Sequence, residues 1–146
     1  MEKRMMPEDA LKGFGEGFDC SQVVLRYAAE KLGMDTDLAL KVASAFGGGM
    51  WQGETCGCVT GALMALGLKY GHCKPDDADT KNLLLRKKKE FEDKFKEKNN
   101  SLICKEILGQ DLSKPQGMQA IMEKGLLATV CPHLVCDACD ILDKLL

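Results

Sequence analysis

Between Cys56 and Gly71 the chain reads CGCVTGALMALGLKYG, and no side chain from Val59 to Leu68 is charged. Wound into a helix, this segment is apolar on every side, so it must be a central helix with others packed around it. Gly57, Gly61 and Ala65 recur every four residues along one stripe. Small residues there let a neighbouring helix come close, although each glycine costs about 1 kcal/mol of helix propensity relative to alanine. The apolar run is far shorter than the roughly 20 residues needed to cross a bilayer, so no membrane is expected as a partner.

The remaining apolar residues also recur at helical spacing, and the alternation of a strand is nowhere sustained. Asp19 and Gln22 have the spacing of a capping box ahead of Val23, Val24, Tyr27 and Ala28, with Gly33 as a stop. Leu38, Val42, Ala45 and Phe46 mark a second helix ended by Gly47-Gly48-Gly49. The central helix, from near Thr55, carries Val59, Leu63, Leu66 and Tyr70. A charged helix, about Asp79 to Lys98, follows with Leu84, Phe91 and Phe95 as its buried stripe, then a short one through Cys104 to Leu108. A helix over Met118–Leu127 precedes a last one that starts at Cys131-Pro132, where proline is best tolerated. Its inner face is Leu134, Val135, Ala138, Ile141, Leu142 and Leu145. The expected fold is all-α: one domain over residues 1–146, a bundle of six to seven helices around a buried central helix.

A net charge of −2 supplies no basic field for nucleic acid. The run Lys87-Lys88-Lys89 is followed at once by Glu90, Glu92 and Asp93, the pattern of a solvated helix face. The first residues show no apolar signal core, so a cytoplasmic location is expected. In a reducing compartment eight cysteines point to metal binding or redox chemistry rather than to a disulfide framework.

Cys20, Cys56, Cys104 and Cys131 each fall at the cap or in the first turn of a different expected helix. Unpaired amides and a partial positive charge gather there, and both stabilise a thiolate. If those ends converge, they form a pocket for a metal–thiolate centre. Cys58, two residues after Cys56, should point about 200° away on a helix. Cys136 shares a polar face with Asp137, Asp140 and Asp143, Cys139 lies off the apolar stripe, and Cys73 sits in a turn. These four are expected to stand apart. Gly47, Gly48, Gly49 and Gly57 are the candidates for cofactor contact, against the plainer reading of a tight loop that packs two helices. The Lys-Ser/Thr of a phosphate-binding loop is missing. His133 lies on the polar face of its helix, and with His72 as the only other histidine no hydrolytic triad can be argued.

The segment Cys56-Gly57-Cys58-Val59-Thr60-Gly61 resembles the CGAxxG motif of the redox-active proteins named C-GCAxxG-C-C, with cysteine in place of the motif's alanine. Phe46-Gly47-Gly48-Gly49, Leu66-Gly67-Leu68-Lys69-Tyr70-Gly71 and the placement of Cys20, Cys104 and Cys131 extend the resemblance over nearly the whole chain. It implies that these four cysteines are the functional set. A looser similarity to the cluster-binding part of split-Soret cytochromes favours an iron–sulfur centre for electron transfer with a redox partner protein. Haem is not implied, because no Cys-x-x-Cys-His occurs. The alternatives are structural zinc on the same thiols, metal-free thiol–disulfide exchange with Cys56 as nucleophile, and a helical interaction protein with inert cysteines. A homo-oligomer is compatible with the amphipathic helices.

Overall fold

The computed structural model describes residues 3–146. Among these the chain forms nine α-helices and no sheet: α1 (Pro7–Gly15), α2 (Cys20–Leu32), α3 (Thr36–Val42), α4 (Gly57–Tyr70), α5 (Ala78–Asn99), α6 (Cys104–Leu108), α7 (Pro115–Lys124), α8 (Leu126–Thr129) and α9 (Cys131–Leu145). The all-α expectation holds. The count exceeds six to seven because Pro7–Gly15 adds a helix in which Ala10 is the one buried apolar side chain, and because Gly125, left-handed at φ 63°, divides the expected Met118–Leu127 helix from α8. No single helix among the described residues is long and apolar enough to cross a membrane.

Helix α4 is the centre, packed against α2, α5 and α9, with Cys58, Val59, Ala62, Ala65 and Leu66 inaccessible to solvent. The glycine stripe acts as expected. A Cβ on Gly61 would lie 2.7 Å from the Ser21 carbonyl oxygen and 3.2 Å from its Cα. The α2 backbone therefore rests directly on α4. Gly61→Ala should lower stability by about 1–2 kcal/mol: overpacking outweighs the gain in helix propensity. Thermal melts followed by circular dichroism test this, and an unchanged midpoint would contradict the close approach.

The expected second helix needs correcting. It ends at Val42, and Leu38 and Val42 point into solvent at 59% and 53% exposure. Ala39 and Ala43 form the buried face instead, and the Ser21 hydroxyl donates to the Ala43 carbonyl at 2.9 Å. The small side chains keep α3 close to α2, which lifts the larger ones on the opposite side out of the core. The inner face of α9 is as expected: Leu134, Val135, Ala138, Ile141, Leu142 and Leu145 are all buried. Asp143 of α9 accepts from the Tyr27 hydroxyl at 2.8 Å and pairs with Lys31 at 2.8 Å, fixing α9 to α2.

Candidate functional site

Four separate helix heads supply the cysteines. Cys20, Cys104 and Cys131 are the first residues of α2, α6 and α9, and Cys56 is the N-cap of α4. Asp19, the cap of α2, donates its backbone N–H to the Gln22 side chain at 2.9 Å, as the capping-box spacing implies. Cys56 and Cys104 are tied by an isolated antiparallel bridge between Thr55 and Ile103. There the Cys56 amide donates to the Leu102 carbonyl at 2.7 Å and the Cys104 amide donates to the Glu54 carbonyl at 2.6 Å. Those bonds hold Cys56 at φ −52°, ψ 136°, outside the helix it caps.

All four cysteines line one cavity of about 510 Å³. Cys58 lines it too, against the expectation that it faces away. The 200° argument requires both residues to be helical, and Cys56 is extended. Cys58 is fully buried, with its thiol against the sulfurs of Cys20 and Cys56. The extended Cys56 backbone could not be read from residue spacing, though the alanine-to-cysteine change in the motif was visible. The other walls are apolar, built from residues such as Leu11, Phe14, Phe18, Trp51, Leu108 and Leu127, and Asp19 is the one charged side chain among the described lining residues. Cys139 is buried in the core outside the cavity, Cys136 is half-buried, and Cys73 is exposed. His72 and His133 are also exposed.

The candidate cofactor glycines divide into two pairs. Gly48 and Gly57 line the cavity. A Cβ on Gly57 would sit 2.5 Å from the Cys20 sulfur, so the missing side chain is the room that sulfur occupies. Gly47 and Gly49 instead serve packing: a Cβ would meet the Asp19 side chain at 2.5 Å and the Glu54 backbone at 2.4 Å. From Gly48 to Trp51 every residue is left-handed, including Met50 at φ 60° and Trp51 at φ 56°. Two non-glycine residues in this region store strain of roughly 1–3 kcal/mol each. They place the Trp51 ring, 46% exposed, at the cavity rim.

The sulfurs differ electrically. The neighbouring Cys56 and Cys58 thiols, and after them the Gly48 and Ser21 amides, favour the charged form of Cys20, so its thiol is held well below the ordinary range. Cys56 and Cys58 are pushed up by the same contacts and by burial. Cys20, rather than Cys56, is therefore the favoured thiolate, since the contact between them lowers Cys20 and raises Cys56. Burial, then the Cys20 charge, raises Cys104 to about 11 and Cys131 to about 12. Asp19 is raised by burial and by Cys20.

Among the described residues no three His, Cys, Asp or Glu side chains converge tightly enough to hold a single metal ion. The four helix-head thiols surround a void instead. No curated protein and no solved structure matches the chain. The family described as "Putative redox-active protein (C_GCAxxG_C_C)" matches residues 18–145, a span that contains every cysteine of the cavity, and the chain belongs to that family.

Proposed function

We propose that this chain is an electron-transfer protein whose cavity holds an iron–sulfur cluster on Cys20, Cys56, Cys104 and Cys131, exchanging electrons with a partner redox protein in the cytoplasm. The observation that carries the reading is the meeting of four thiols, from four helix heads far apart in sequence, around one apolar-walled void. A single zinc ion sits about 2.3 Å from each sulfur and draws all four close together. Sulfurs spread around a void suit a polynuclear group better.

Each residue has a definable part. Cys20 offers a ready thiolate, while Cys56, Cys104 and Cys131 give up protons when they bind. The Gly48 and Ser21 amides that donate to the Cys20 sulfur would favour the reduced, more negative state of a bound cluster. The apolar walls keep water from the sulfurs. When bound, the cluster supplies one-electron chemistry at a potential set by that burial and those donors.

Anaerobic purification with assays of iron, labile sulfide and zinc tests the reading. Iron with equivalent sulfide and a visible absorption band is the expected result. Cys104→Ala and Cys131→Ala should each lose most of that iron while retaining helical content. Zinc alone would replace the cluster with a structural site, and a colourless, metal-free protein would refute it.

A further inference from the structure

We propose that Cys20 and Cys58 form a dithiol pair that reduces neutral, apolar low-molecular-weight disulfides entering the cavity, closing to a Cys20–Cys58 disulfide. The proposal concerns the cavity without a bound cluster and does not rest on the reading above.

Cys58 is a thiol the four-cysteine set does not use. It is wholly buried, and the groups its sulfur meets are the sulfurs of Cys20 and Cys56. The glycine contact fixes the arrangement independently: the Cys20 sulfur lies 2.5 Å from where a Gly57 Cβ would be, over the backbone between Cys56 and Cys58. Three sulfurs thus share one end of the cavity. Cys20 and Cys58 both line that cavity, and Cys20 is the less buried of the two, so it is the thiol a small molecule inside it meets first. The walls select the molecule. They carry no cationic side chain among the described lining residues, and the Asp19 carboxylate stands next to Cys20. An anionic disulfide such as oxidised glutathione is repelled there, whereas a neutral aromatic one gains apolar contacts.

The chemistry balances in two displacements. The Cys20 thiolate attacks one sulfur of RSSR; the S–S bond breaks, the first RS⁻ leaves and takes up a proton, and Cys20–S–S–R remains. The R group now occupies the cavity. Displacement at sulfur requires an attacker in line with the leaving group and opposite to it. Cys58, buried beside Cys20, is the thiol placed to attack the Cys20 sulfur. Its proton goes to the departing RS⁻, the Cys20–Cys58 bond forms, and a second RSH is released. Two electrons pass from the dithiol to the disulfide, and Cys56 stays a thiol.

The test uses the full chain carrying Cys73→Ser, which removes the exposed thiol, reduced and treated with chelator. It is mixed with 4,4′-dithiodipyridine or with oxidised glutathione; released thione and linked peptides are then measured. We expect a Cys20–Cys58 linkage by tandem mass spectrometry. Each rate is divided by that of free N-acetylcysteine amide with the same reagent, which removes the better leaving group of the pyridyl disulfide. That ratio should be roughly tenfold or more higher for the neutral reagent than for oxidised glutathione. Cys58→Ala, which restores the alanine of the motif, should stop at the Cys20–pyridylthio adduct and release one equivalent less. Cys56→Ala should still form the linkage. A wild-type Cys20 that ends as the adduct, a linkage to Cys56 that survives Cys58→Ala unchanged, or equal ratios for the two reagents would overturn the proposal. The iron assay on the protein as isolated reports separately on the cluster, so either idea can fail alone.

Discussion

Phe91→Ala should destabilise the protein by about 3–5 kcal/mol, the range for deleting a fully buried aromatic ring. Helix α5 is 22 residues long and mostly charged, and its buried residues are Phe91 and Phe95. Neither ring is accessible to solvent, and they stack with centroids 5.9 Å apart at 21°. The pair Lys89–Asp93 is exposed, and Lys88–Glu92 is only partly buried. Exposed pairs of this kind contribute only a few tenths of a kcal/mol each, so the rings must hold α5 against α4 and α9. For a chain of this size the loss corresponds to a fall of about 10 °C in melting midpoint. Leu85→Ala on the same helix, at a residue 47% exposed, should stay within about 0.5 kcal/mol. Equal midpoints for the two variants would contradict the anchoring role of the rings.

The reduced, metal-free protein should lose stability steeply above about pH 9, by several kcal/mol before pH 11. The sign follows from the protons. Cys104 and Cys131 are raised by burial from the thiol value of 9.0 to about 11 and about 12, and Cys56, Cys58 and Cys139 are also raised. Between the unfolded and folded values the native state keeps protons that the unfolded chain has released. Stability therefore falls as pH rises, by about 1.4 kcal/mol per pH unit for each such thiol. Cys20, lowered in the folded state, acts in the opposite sense. Its contribution is complete above the unfolded thiol value and is lost as pH falls through its folded value. The raised thiols outnumber it, so the alkaline loss dominates. Urea midpoints at pH 8 and pH 10.5 in the presence of reductant measure this directly. Equal midpoints would show that the thiols are not buried as described.

Helices with a strong one-sided pattern could be placed from sequence, and α9 is the clearest case: all six of its expected inner residues are buried. The uniform apolarity of α4 likewise identified the centre, and its glycine stripe the close contact with α2. Where the sequence misled, tertiary packing had overruled periodicity. Leu38 and Val42 have helical spacing, yet α2 accepts only the alanine face of α3. The helix-head position of four cysteines could be found because caps and first turns have local signatures, and the structure gathers those four around one void. The place of Cys58 could not, because it depends on Cys56 being extended. A bridge to a segment nearly fifty residues away imposes that geometry, which no local pattern encodes.

The rung between Thr55 and Ile103 also closes the base of a long excursion: the chain leaves the cavity along α4 and comes back to it along α5. Helix α4 alone carries the tip, residues 71–77, roughly 20 Å from the sulfurs at 1.5 Å per residue. Evolution or an engineer can therefore lengthen, label or graft onto that tip, where Cys73 already offers a handle to solvent, while the sulfur constellation at the root keeps its shape.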